Sequence, residues 1–373
     1  MSPMGSERHV DIPPPAATIF RDGINHPDLW LWDSWTFESH GSVNLFALAL
    51  ARKSAAGVAI TPADRNRHTF HVRRFLSRDD GRSWRDCGAY LQPSPVLGGA
   101  MAHNVWSGSA AVLGDAVLFG FTGLRKPSAS RSFLQSILLV RAGLDGEPPS
   151  PAYALMISDP EADYDAICGA GYYLGPRERL GEDAGEEGGP ILAWRDPFLL
   201  PHADGAIDAF WAAKTAPAAP AVAHARLTPR AGGLATQFLA PITFPDDHAF
   251  SQAEVPKVYY AGRHGYLMLI SACNRLSESQ PDNEIRKEMR LYRSDALAGP
   301  WRPYRDDNSI IPGTEGLFGG SLIAIDADAG SARLIAPYTE LVAPRLQLTF
   351  APPLDIALDR SATAPRRAAT GRT

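Results

Sequence analysis

The chain has 373 residues, with 36 lysines and arginines against 41 aspartates and glutamates, a formal net charge of −5. That balance argues against nucleic acid or an anionic membrane as the main partner, while 45% hydrophobic content supplies a sizeable core. Cys87, Cys168 and Cys273 are odd in number and far apart, so no disulfide framework or metal-binding spacing is expected; with no G-K-[ST] phosphate loop and Gly169–Gly175 missing the dinucleotide spacing, no cofactor is expected either.

Residues 1–20 read as a flexible N-terminal arm, extended by the prolines at 13–15, with no apolar run of signal-peptide length. A cytoplasmic location is therefore the default expectation, although a non-standard export route would leave no trace in the sequence. The first informative stretch is Trp30-Leu31-Trp32-Asp33-Ser34-Trp35, where three tryptophans surround one carboxylate. Indole faces stack on sugar rings, and a carboxylate among them could reach an anomeric carbon. Asp33 could equally be a turn residue among core tryptophans.

Beyond it, short apolar or alternating runs predict strands at Val43–Ala51, His68–Ser77, Ser109–Leu113, Ala116–Phe121, Leu134–Arg141, Phe198–Leu200 and Ile207–Ala213. Further strands are predicted at Lys257–Tyr260, Tyr266–Ala272, Met289–Arg293, Ser321–Ile325, Ala332–Tyr338 and Leu346–Ala351, and no amphipathic helix of three turns appears. A loose repeat begins near Leu31, Val105, Ala193, Ala253 and Gly316, each unit running into an apolar strand, a turn and a second strand. The predicted fold is all-β, a five-bladed β-propeller over residues 21–358, followed by a disordered tail over 359–373. Ser77–Trp84 fits the S-x-D-x-G-x-x-W turn of propellers, and Ser294–Trp301 is a similar hairpin; both are expected to be structural. The acidic stretch Leu180–Gly189 reads as a solvated loop, and Thr215–Ala221 as a low-complexity spacer.

Three acids each head a repeat unit: Asp33, Asp196 in Trp194-Arg195-Asp196-Pro197, and Glu254 in Gln252-Ala253-Glu254-Val255-Pro256. Retaining glycosidases need two carboxylates about 5–5.5 Å apart, and a further anionic group can hold sugar hydroxyls. Any of the three could be an ordinary turn acid. His68 and His71, three apart on a predicted strand, face opposite ways and should not share a metal.

These motifs resemble glycoside hydrolase family 68, the levansucrases, inulosucrases and related β-fructofuranosidases. Trp32-Asp33-Ser34-Trp35, Trp106-Ser107-Gly108-Ser109-Ala110, Arg195-Asp196-Pro197, Glu254-Val255-Pro256 and Leu348-Thr349-Phe350-Ala351-Pro352 occur in that family's order. The resemblance implies that Asp33 is a nucleophile forming a covalent fructosyl-enzyme, Glu254 the acid/base and Asp196 a transition-state stabiliser. It also implies that Trp32, Trp106, Ser107 and Arg195 bind the fructosyl unit, with a fructoside such as sucrose as partner and water or a sugar as acceptor. Val255 replaces the family's arginine for the leaving glucose, Val105 replaces an acid, and Ser251 stands where some members have a calcium-binding aspartate, so no metal is expected. The alternatives are an inverting arabinosidase-type five-bladed glycosidase and a carbohydrate-binding propeller without catalysis.

Overall fold

Short strands separated by tight turns fold here into five antiparallel sheets, the blades of a propeller. The structure, a computed structural model, describes residues 12–14, 18–94, 99–125, 134–144, 147–181, 192–231, 233–277, 279–305, 308–339 and 348–358. Most of the expected N-terminal arm, the acidic stretch at 182–189 and the tail at 359–373 lie outside these residues.

The innermost strands are Leu29–Ser39, Asn104–Leu113, Arg195–Pro201, Gln252–Tyr260 and Ser321–Asp326. Each pairs with the next strand in sequence, and the blades grow outward by hairpins, as local antiparallel pairing favours. The first blade adds Ile19–Arg21 at its outer edge, so the propeller begins slightly before residue 21. Thr215–Ala221 is not a spacer: Ala216 pairs with Ala219 across a tight hairpin joining Ile207–Ala216 to Ala219–Arg230. Among the described residues no helix exceeds six residues, and none is long and apolar enough to cross a membrane.

Second strands such as Ser42–Ala51 and Ala116–Arg125 are buried almost throughout, because each blade is covered on both faces by its neighbours. The core is accordingly divided into five apolar clusters, one at each junction between adjacent blades. In the Ser77–Trp84 turn, Asp79 accepts from the Ser83 backbone N–H at 2.8 Å and from its hydroxyl at 2.6 Å. Trp84 is thereby buried in the cluster that contains Ile323 of the fifth blade. Trp301 plays the matching part between the third and fourth blades. Both turns are structural.

The circle closes where the chain's two ends meet. Ile24 and Phe350 exchange backbone hydrogen bonds of 3.2 and 3.0 Å, and the Leu31 N–H donates to the Leu348 carbonyl at 2.8 Å. The predicted final strand is thus a closing segment, with Phe350 also bridged to Pro337.

Candidate active site

Four of the five innermost strands carry the candidate residues at a β-bulge. Pairing slips between Trp32 and Ser34, Trp106 and Gly108, Arg195 and Phe198, and Glu254 and Lys257. An extra residue at a bulge leaves the ladder and re-aims its side chain. Asp33, Asp196 and Val255 sit at these slips with φ of 35°, 65° and 49°, a region that non-glycine residues rarely occupy. Such strain persists only where the surroundings over-determine it, and it concentrates at functional sites.

The surroundings form a chain of hydrogen bonds around the axis. Ser107 Oγ donates to Asp33 Oδ2 at 2.5 Å, joining the second blade to the first. Thr122 Oγ1 donates to the Ser107 carbonyl at 3.1 Å and accepts from the Asp196 N–H at 2.8 Å, reaching the third. The Val255 N–H then donates to Asp196 Oδ2 at 3.1 Å, reaching the fourth. Ser271 Oγ accepts from the Gly319 N–H at 2.8 Å, and the Ser34 N–H donates to the Gly319 carbonyl at 2.6 Å, completing the turn through the fifth blade.

Asp33, Asp196 and Glu254, from the first, third and fourth blades, lie within electrostatic reach of one another. Their exposures differ. Asp196 is 3% exposed, whereas Asp33 is half-buried and the Glu254 side chain is 22% exposed. Arg195 spans two of them, with Nε 3.7 Å from Asp196 Oδ2 and Nη2 3.8 Å from Glu254 Oε1. Its guanidinium carbon also lies 5.9 Å from the Trp106 ring centroid, within cation–π range. Trp32 is half-buried beside Asp33 and meets Phe70 edge-on at 5.0 Å. The other tryptophans of that motif are framework: Trp35 is fully buried, and Trp30 donates to the Ile60 carbonyl at 2.9 Å beneath Arg52.

Burial pushes the Asp33 carboxyl above the usual range, and the Glu254 charge adds to this against the Ser107 hydrogen bond and the Lys257 and Arg65 charges. Burial likewise raises Asp196 to about 7, with Arg195 opposing and Asp33 and Glu254 reinforcing. Gly319 is required beside Asp33: at φ 66°, a Cβ there would stand 2.5 Å from Asp33 Oδ1 and 2.8 Å from its Cα.

Several participants were not singled out as site residues from the sequence. Cys273 Sγ donates to Glu254 Oε1 at 3.3 Å, Thr122 links two blades, and Lys257 is buried near Asp33 and Asp196. The available signal was a polar residue inside an apolar run, as in Val-Leu-Phe-Gly-Phe-Thr at 117–122 or Val-Pro-Lys-Val-Tyr-Tyr at 255–260. Val255 has no polar side chain to offer; its buried backbone N–H serves Asp196 instead. The Ser251 hydroxyl is committed to the Arg275 carbonyl at 2.7 Å.

No protein-family model matches the sequence, and no curated protein does. Among solved structures, the chain is similar to a levansucrase complexed with sucrose, at 15% identity and a TM-score of 0.64, over 97% of this chain and 91% of that one. Bacillus subtilis levansucrase gives 14% and 0.64 over 97% and 91%, respectively. The sucrose-6-phosphate hydrolase from Lactobacillus gasseri gives 13% and 0.60 over 90% and 61%. At these identities the likeness establishes the architecture: a five-bladed propeller of the levansucrase type, in a divergent sequence.

Proposed function

We propose that the protein is a retaining enzyme of the family 68 type, transferring a fructosyl unit from a β-fructofuranoside to water or a sugar. The observation carrying this reading is the meeting of three carboxylates from three blades, two partly accessible and one sealed. In the proposed reaction an Asp33 oxygen attacks the anomeric carbon C2 as the C2–O bond to the leaving group breaks. Glu254 gives its proton to the departing oxygen, and the freed carboxylate then takes a proton from the acceptor as the acceptor oxygen bonds to C2 and the C2–Asp33 bond breaks. Ser107 engages Oδ2, and the missing side chain at Gly319 leaves room at Oδ1 for attack. Asp196, nearly inaccessible, is suited to hold fructose hydroxyls as positive charge grows on the ring, not to form a bond itself. Trp32, Trp106 and Arg195 would wall the fructosyl subsite.

The test is incubation with sucrose and a panel of fructosides, following glucose and fructose separately. More glucose than fructose from sucrose indicates transfer to sugar, and parity indicates hydrolysis. Asp33→Ala and Glu254→Ala should each reduce turnover by about 10⁴-fold or more. Full activity in the Asp33 variant would remove the nucleophile assignment. Binding of fructosides without release of either sugar would instead support a carbohydrate-binding propeller, a reading that Val255 in place of arginine keeps in view.

A further inference from the structure

Glu254 sits on the fourth blade's innermost strand, and its neighbours across the ladder decide how its carboxyl is held. Ser271 lies directly opposite it and Cys273 lies opposite Gln252, so Glu254, Ser271 and Cys273 share one face of the sheet. Ser271 Oγ accepts from the Gly319 N–H of the fifth blade at 2.8 Å. A diagonal neighbour is within reach of a side chain as long as glutamate, and Cys273 Sγ donates to Glu254 Oε1 at 3.3 Å.

The thiol stands on a fixed platform. Cys273 is 3% exposed, pairs with Gln252 on one side and Lys287 on the other, and its carbonyl accepts from the Ser251 N–H at 2.9 Å. Ser251 is tethered in turn, because the buried Lys214 ammonium donates to its carbonyl at 2.8 Å and to that of Pro217 at 3.0 Å. Only rotation about one side-chain bond remains to the thiol.

The second neighbour of the carboxyl meets the same oxygen. Arg195 Nη2 stands 3.8 Å from Oε1, an ion-pair approach beyond hydrogen-bond range. Among the described residues no hydrogen bond or ion pair reaches Oε2, so the partly exposed carboxyl is gripped at one oxygen only. An acid/base must give a proton away and take one up in each cycle, and a cation in direct contact would favour the carboxylate and oppose the second half. A thiol is a weak and neutral donor, and burial pushes the Cys273 thiol up, so it keeps its hydrogen.

We propose that Cys273 is a positioning residue for the acid/base: its thiol engages Glu254 Oε1, so that Oε2 carries the proton delivered to the leaving group. In the first half-reaction the Oε2–H bond breaks as the departing oxygen gains that proton. In the second, Oε2 takes a proton from the acceptor, and the thiol keeps its own hydrogen throughout. This delivery step rests on the fructosyl-transfer reading; the hydrogen bond to Oε1 does not.

Proton delivery matters for an alkoxide leaving group and little for nitrophenolate, which departs unaided. Cys273→Ala should lower kcat/KM about ten-fold for sucrose and for methyl β-fructofuranoside, but about two-fold or less for para-nitrophenyl β-fructofuranoside. Cys273→Val, which also removes the donor but leaves less of a void, should show the same ordering, and Glu254→Ala should show it more steeply. Equal losses on all three donors would point to damaged packing and overturn the proposal, as would no loss at all.

A readout without substrate is the infrared S–H stretch in a Cys87→Ser/Cys168→Ser protein, whose one remaining thiol is Cys273. Removing the acceptor with Glu254→Ala in that background should move the band to higher frequency. An unmoved band would overturn the proposal, even if neither Cys273 variant folds. If the wild type cleaves no fructoside but the band moves, the functional reading fails and the grip on Oε1 stands. If it cleaves and the band does not move, the reverse holds.

Discussion

Asp33, Asp196 and Asp86 share a side chain and have opposite fates. Burial alone would raise Asp86, but hydrogen bonds from His26 and Arg73, together with the Arg73 charge, hold it at about 2. Arg73 grips it with two bonds, Nε to Oδ1 at 2.8 Å and Nη2 to Oδ2 at 2.6 Å. Asp33 and Asp196 face one another and Glu254, so their balance tips the other way. Because the folded-state value of Asp86 is depressed, the unfolded chain binds more protons between its own value near 4 and about 2. The resulting stabilisation, about 2 kcal/mol, is complete above that range and disappears as the pH falls through about 2. Urea denaturation at a series of pH values should show Asp86→Asn losing less stability than the wild type between about pH 5 and about pH 2. Equal losses would mean that the Arg73 pair contributes nothing selective for the folded state.

At the scale of the element, the bulge explains both what the sequence discloses and what it conceals. Period-two alternation is readable only while the ladder stays in register, and one inserted residue inverts every later side chain. The predicted strands Ser109–Leu113, Phe198–Leu200 and Lys257–Tyr260 each begin after a slip, whereas the observed ones begin at Asn104, Arg195 and Gln252. Leu29–Ser39 was not anticipated as a strand at all, since its slip falls among the tryptophans. Second strands were visible because burial on both faces writes them as unbroken apolar runs. Outer strands such as Ser83–Leu91 and Gly233–Phe238 carry exposed or half-exposed positions and left no such trace. The acids at the blade starts were visible as motifs, and so were Trp32, Trp106, Ser107 and Arg195; Thr122, Lys257 and Cys273 reach the site only through folding and were not. Gly319→Ala tests how tightly the first bulge is held, because the added methyl would meet Asp33 backbone, which cannot swing aside. Turnover of a cleaved fructoside should fall about 100-fold, with about 1–3 kcal/mol lost in thermal or urea melting. Wild-type kinetics in this variant would mean that Asp33 tolerates displacement.

For the whole molecule, dividing the core among five junctions makes closure of the circle a separate energetic matter from the folding of any blade. Phe350 is 3% exposed, lies in the cluster between the first and fifth blades and forms the backbone bridge to Ile24. Phe350→Ala should cost about 3–5 kcal/mol and expose the two ends of the ring first. Hydrogen exchange would show this as early loss of protection at Ile24 and Leu31, ahead of the second and third blades. Uniform loss everywhere would indicate a single cooperative unit with no preferred seam. The number of blades was legible because the five unit starts recur in order; the closing contact was not, since it joins residues more than three hundred positions apart.

The count of five also bears on chemistry. Asp33 and Glu254 belong to wedges separated by only one other around the shorter arc, and the circumference of the barrel-like hub governs the gap between them. A duplicated wedge inserted on that arc would leave every hairpin intact yet widen the bore by about one strand spacing of roughly 5 Å. On the fructosyl-transfer reading, two carboxylates that share one furanose would then stand too far apart, so the proposed reaction ties the blade number in a way that loops and outer edges are not tied.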